Sequence, residues 1–422
     1  MENLRLFQFS TFNFQFICIF VPMKMNEVTR QFIRDHPEDD PAELLLHASR
    51  FQGVDMKTAI VQIVARRRIK YKLPSWHRDD RIIFPSTLST EQCSSEITAF
   101  YKQRLVKSAD WVCDLTGGLG VDSCFFARKV RRLTYVEREE GYCSAAHHNF
   151  SLLVGDAPVE IIHGDAVDLI TKCEKRFRDA DVFYLDPSRR GTGNKRILDI
   201  NDCEPDLMKL IALLPETCRI IVKLSPMMDI TQALSLIPEV REVHVVSVKN
   251  ECKELLIIID RTQPVIEVQK IYCVNFTSDN EEQSFHFCLQ DERDINVPLA
   301  KSTGRYLYEP NAAVLKAGAY KSAAVRFEVE KLHASSHLYT SNQLIPSFPG
   351  RIFEIIEVIP FSSRICKTLK DSIPQANITV RNFPLTADDV RKRTRITDGG
   401  NVYLFATILS GKQKVLIKSC RV

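Results

Sequence analysis

Charge of one sign is scarcely in excess: 57 Lys and Arg against 53 Asp and Glu leave a net charge of +4 over 422 residues. So balanced a chain has no global field for a polyanion, and any nucleic-acid partner must meet local patches. Closely spaced cysteines are missing. The 13 cysteines scatter from Cys18 to Cys420, with no two closer than 11 residues. That excludes CxxC and Cys/His zinc patterns, so no metal is expected and the thiols read as free in a reducing cytoplasm. Tandem repeats and low-complexity tracts are absent, and no run is long and apolar enough to cross a bilayer. The opening stretch "MENLRLFQFSTFNFQFICIFVP" lacks the positive start and small-residue cleavage site of a signal peptide. Met23 or Met25 is therefore the expected true start, with residues 1–24 a mis-assigned or disordered leader. The expected setting is cytoplasmic, with no membrane partner.

What is present falls into segments. Residues 25–105 read as helical: "DDPAELLLHASR" offers Asp40 as N-cap with Pro41 at the first helical position, and Pro74 breaks the pattern in "KLPSWH". Residues 106–262 alternate strand and helix, which implies an α/β fold with a Rossmann-like, mostly parallel, doubly wound sheet. Its end differs. "EVHVVSV" and "ELLIIID" are separated only by "KNECK", too short for a parallel crossover, so an antiparallel last hairpin is expected. Residues 263–334 and 335–422 read as two small α+β domains.

"DLTGGLGVD", residues 114–122, lies between the first strand and its helix. A glycine turn there is where such sheets hold nucleotide-like ligands. No Lys-Ser/Thr pair follows Gly120, so a Walker loop is excluded. Gly118-Leu119-Gly120 lacks the third glycine of a dinucleotide loop, and Asp114 and Asp122 suit a pyrophosphate poorly. Asp114 suits a cation such as an α-ammonium group. An adenosine, an amino acid and no phosphate describe S-adenosylmethionine, with Asp114, Thr116, Gly118 and Gly120 in contact. Glu137, ending the second strand, can accept both ribose hydroxyls. Asp165 can accept from the adenine amine while the Ala166 amide donates to the ring. Each carboxylate alone reads equally well as a helix cap or a solvated side chain; their order along the chain favours the ligand.

At these residues the chain resembles class I S-adenosylmethionine-dependent methyltransferases. More closely, it is similar to the bacterial group with a ferredoxin-like domain and a THUMP-like C-terminal domain. The marks run over about Thr29 to Leu409: "KLPSW", "DLTGGLGVD", "YVERE", "LDPSRR", "KLSPMMD", "NECKELL", "YEPNAAVLKAG" and "NITVRNFPL". The resemblance assigns 263–334 to the ferredoxin-like and 335–422 to the THUMP-like domain. It implies the fold and the cofactor, and RNA methylation of tRNA or rRNA by analogy.

Methyl transfer is an in-line displacement at a sulfonium carbon, so the enzyme must align the nucleophile and take a proton. In "DPSRR", Asp186-Pro187 match the Asp/Asn-Pro start of amino-methylating relatives, but Ser188 and Arg189 replace Pro and the aromatic. This form looks more like enzymes acting on ring nitrogen or carbon. Asp186 is expected to orient or deprotonate the base, Arg189 to hold a phosphate or stack as a planar cation, and Arg190 to meet the backbone. Lys223, ending the fifth strand, is a further substrate contact or a buried stem with a surface ammonium. Cys252 is the only cysteine near the expected site; Lys253 beside it could depress its pKa, but an ordinary thiol is the favoured reading.

Two basic patches are candidates for RNA. "ARRRIKYKLPSWHR" interleaves Arg66, Arg67, Lys70 and their neighbours with Tyr71 and Trp76, charge for phosphate and planes for bases. Residues 377–422 hold nine Lys/Arg against three Asp, net +6, including Arg391, Lys392 and Arg393. Both also read as solvated helix faces. A protein or small-molecule methyltransferase, and a non-catalytic RNA-binding scaffold, stay open as alternatives.

Overall fold

The computed structural model describes residues 25–172, 174–189, 200–264 and 269–422. The proposed leader and Arg190 lie outside these residues. The chain divides into two compact units, the first ending at Val182 and the second beginning at Phe183.

The first unit opens with helices whose starts follow from their caps. Asn26 accepts from the Thr29 N–H ahead of Glu27–Asp35. Asp40 accepts from Ala42 and Glu43 ahead of Pro41–Leu46. Asp55 accepts from Thr58 at the head of Met56–Ile69. Phe32, Ile33, Leu44, Met56, Ala59 and Ile63 close a small core among them. The break at "KLPSWH" falls as expected, and Pro74 becomes the first residue of a new short helix, Pro74–Arg78. Three parallel strands follow: β1 (Trp111–Asp114), β2 (Arg132–Glu137) and β3 (Val159–His163), with β2 between the other two. Helices Val121–Ala127 and Glu140–Leu153 make the crossovers. On the other side of β1 the chain returns at Asp181, whose N–H donates to Trp111 O at 3.0 Å while its carboxylate accepts from Trp111 N–H at 2.7 Å.

The unit boundary falls inside β4 (Val182–Leu185). In the second unit two short strands, β5 (Ser188–Arg189) and β6 (Cys203–Glu204), pair antiparallel. Then come β7 (Arg219–Leu224), β8 (Val240–Val248), β9 (Glu251–Asp260), β10 (Lys270–Phe276) and β11 (Glu282–Cys288), in spatial order β11-β10-β8-β9-β7-β4. The β8–β9 pair is the antiparallel hairpin read from the sequence. Lys249 and Asn250 at its tip have φ of 53° and 62°, the left-handed pair that a two-residue type I′ hairpin requires. β10 runs parallel to β8 and antiparallel to β11. The domain border expected at residue 263 therefore falls inside this sheet: β10 and β11 extend it through continuous ladder bonds.

A second, seven-stranded sheet has the order β13-β14-β12-β15-β18-β17-β16. Its strands are β12 (Tyr306–Pro310), β13 (Glu330–Lys331), β14 (Tyr339–Ser341), β15 (Gly350–Pro360), β16 (Asn377–Val380), β17 (Val402–Ile408) and β18 (Lys414–Arg421). It runs through the border expected at 334/335, because β12 pairs with both β14 and β15. Among the described residues no helix is long and apolar enough to cross a membrane, and no three His, Cys, Asp or Glu group as metal ligands would.

Candidate active site

In the first unit the glycine loop rests on an aromatic floor. A Cβ on Gly117 would lie 2.2 Å from the Tyr135 ring, and one on Gly120 would lie 2.8 Å from the Phe150 ring. Gly118 and Gly120 also have φ of 54° and 80°, so the loop needs glycine for shape as well as space. The two rings meet edge to face with centroids 5.4 Å apart. Burial pushes the Tyr135 hydroxyl well above its ordinary pKa. It stays protonated and donates to Gly118 O at 2.6 Å.

The carboxylates around the loop have distinct structural duties. Asp114 is buried. It accepts from Thr116 N–H at 3.0 Å and from Ser123 O–H at 2.6 Å, fixing both ends of the loop. Glu137, half-buried, accepts from Gly118 N–H at 2.8 Å and from Glu139 N–H at 2.9 Å. A carboxylate has about four lone-pair sites, so it keeps capacity for further donors. Asp165 is exposed and accepts from Asp168 N–H at 3.0 Å, capping helix Ala166–Lys172. The Ala166 N–H is one of the first-turn donors that a helix leaves without an internal partner.

Sequence reasoning missed what stands behind the loop. Asp122 does not present an isolated negative charge: its carboxylate lies 3.2 Å from Lys102 Nζ, with side-chain exposures of 8% and 0%. Ser94 closes the triangle, donating to Asp122 at 2.8 Å and accepting from Lys102 at 3.0 Å. The available signal was Lys102 itself, a charge among the buried positions of helix Glu96–Gln103.

In the second unit, Asp186 follows β4 and Lys223 lies in β7, and Asp186 Oδ2 meets Lys223 Nζ at 2.6 Å. Lys223 is thus the ion-pair partner of the aspartate, a link that spacing alone does not reveal. Pro187 is half-buried, and Arg189 pairs through its backbone with Cys203. Cys252 is not activated: burial pushes its thiol up to about 11, and Lys253 is engaged with Glu251 at 2.7 Å.

Within each basic patch some charges are engaged and others face solvent. Trp76 is fully buried and offers no face to a base, a correction to its expected stacking role. Arg66 donates to the carbonyls of Asp79, Asp80 and Ile82, and Arg67 to those of Pro37 and Asp39. Both guanidiniums hold chain segments in place instead of facing outward for phosphate. Lys70 and Tyr71 stay exposed, the Lys70 ammonium 5.9 Å from the Tyr71 ring centroid. In the second patch Arg391 is paired with Asp388 and Asp398, whereas Lys392 and Arg393 are exposed.

Residues 306–349 match a ferredoxin-like domain family and residues 350–420 a THUMP domain-like family. A crystal structure of a Porphyromonas gingivalis W83 protein classed with the methyltransferases superposes with a TM-score of 0.84 at 35% identity, covering 94% of this chain and 98% of that one. An uncharacterized S-adenosylmethionine-dependent methyltransferase from two Mycobacterium tuberculosis strains is 23% identical over 290 residues, 68% of this chain and 74% of the relative. The glycine loop on its aromatic floor, the reversed strand β9, the two matched C-terminal domains and an end-to-end match at 35% identity place the chain in the family of S-adenosylmethionine-dependent methyltransferases that carry ferredoxin-like and THUMP-like domains.

Proposed function

We propose that this methyltransferase acts on a base of tRNA or rRNA. S-adenosylmethionine supplies an activated methyl group when bound. The first unit is its site in this reading: Gly117 and Gly120 let the loop rest on the Tyr135 and Phe150 rings, Gly118 leaves open backbone, and Glu137 accepts ribose hydroxyls beside the Gly118 amide it already holds. Asp165 and the Ala166 N–H serve the adenine edge. Asp114, held by Thr116 and Ser123, gives the ligand's ammonium group a nearby negative charge. Asp186 orients the target base and takes its proton, with Lys223 holding the carboxylate.

The observation that carries the RNA reading is the THUMP-like match over residues 350–420, on a segment whose helix Ala387–Thr394 presents Lys392 and Arg393 to solvent. Lys70 beside the exposed ring of Tyr71 supplies the cation-and-plane pairing that suits single-stranded nucleic acid.

The test is a gene deletion followed by mass spectrometry of nucleosides from purified tRNA and rRNA. The expected result is loss of one methylated nucleoside, restored by the wild-type gene and not by Asp186→Ala. An unchanged profile in both fractions refutes RNA as the substrate.

A further inference from the structure

Among the described strands, β11 (Glu282–Cys288) forms the outer edge of its sheet and pairs only with β10. A cavity of about 970 Å³ lies against it, and its lining includes Ser284, Phe285 and His286. Consecutive side chains of a strand point to opposite faces. A cavity lined by three consecutive residues therefore runs along the strand's edge and not over one face. An edge presents backbone N–H and C=O groups without a ladder partner. Here those groups border a walled groove.

The rest of the lining narrows the occupant. It comes from the stretch Arg326–Glu330 and from residues 340–347. A wall beside the edge obstructs the flat approach that a second folded sheet would need. A single extended chain needs only the strand spacing of about 4.8 Å. Exposed Glu328 and Glu330 set two carboxylates against the one guanidinium of Arg326. That balance repels a phosphate chain and attracts a cationic one.

We propose that this groove docks an extended basic peptide segment, which adds to β11 as a further strand. Main-chain hydrogen bonds supply the affinity, and the two glutamates select for lysine or arginine. The proposal does not depend on the substrate of methyl transfer.

The test uses the full chain and a fluorescein-labelled nonapeptide of alternating lysine and threonine. Fluorescence polarisation should show saturable binding. Two central prolines in the peptide should abolish it, because they remove amide donors. The variant Glu328→Lys/Glu330→Lys should weaken it at least tenfold. Hydrogen exchange of those amides of residues 283–287 that point away from β10 should slow at least fivefold under saturating peptide. Equal binding by the proline peptide, unchanged exchange along β11, or displacement of the peptide from the groove by an oligouridylate would each overturn the proposal.

Discussion

Replacing Lys102 by methionine should lower the urea midpoint of the first unit by about 1–2.5 M. The Lys102 side chain is wholly enclosed, and its ion-pair partner Asp122 is 8% exposed. Removing the ammonium leaves a carboxylate in a site sealed from water, with Ser94 as a remaining donor. Breaking such a buried pair costs about 3–5 kcal/mol, against about 0–1 kcal/mol for a surface pair. A urea dependence of about 2–3 kcal/mol/M converts that loss into the stated shift. The assay is unusually local. The chain's two tryptophans, Trp76 and Trp111, are both buried in the first unit, so their fluorescence reports on that unit alone. The double variant Lys102→Met/Asp122→Leu should recover most of the lost stability, since both charges then leave the apolar site together. A single-variant shift below about 0.3 M, or a double variant no better than the single, would refute the reasoning.

Gly117→Ala should weaken S-adenosylhomocysteine binding at least tenfold by calorimetry, because the added Cβ would meet the Tyr135 ring at 2.2 Å and the loop must lift. Glu137→Gln should weaken it by about 1.5–3 kcal/mol, the range for hydrogen bonds to a charged group; unchanged affinity would remove Glu137 from the ribose site. Cys252, held up at about 11 mainly by burial, should resist iodoacetamide at pH 8, and rapid alkylation located there by mass spectrometry would contradict this. His337 is held down at about 4, by burial first and then by Lys331 and Arg381. Its folded pKa lies below its unfolded value near 6.5, so the unfolded chain binds the extra proton and stability falls as pH drops from about 6.5 to 4. His337→Gln should flatten the acid side of the Tm profile, and an imidazole NMR titration near 6.5 would contradict the assignment.

The sheet was legible because its pattern is local. Apolar runs, turn residues and the short "KNECK" connection each dictate their own backbone, and the hairpin lies where that connection puts it. The glycine loop was legible for the same reason, since Gly118 and Gly120 take left-handed φ. What stayed hidden is pairing between residues far apart in sequence. Asp186 and Lys223 are 37 positions apart and meet through strand order. β10 lies beyond the border expected near residue 263 and alternates like any half-buried strand. Only its register against β8 shows which sheet it joins.

The fate of the first basic patch shows why charge in a sequence is ambiguous between scaffold and surface. Arg66 gathers the carbonyls of Asp79, Asp80 and Ile82, and its guanidinium carbon lies 5.7 Å from the Phe84 ring centroid. The chain it holds runs directly into Ile83, whose backbone exchanges two hydrogen bonds with the buried Asn149 side chain at 3.0 and 2.8 Å. The next residue in that helix is Phe150, the ring beneath Gly120. A continuous line of contacts therefore runs from Arg66 to the floor of the glycine loop, and Lys102 supports the loop's following turn from another helix. The helical N-terminal region thus buttresses the glycine loop with charges that a sequence presents as a nucleic-acid patch. A guanidinium satisfied by three backbone carbonyls has few donors left for phosphate. Lys70 and Tyr71, past the end of helix Met56–Ile69, and Arg78 stay exposed in that segment.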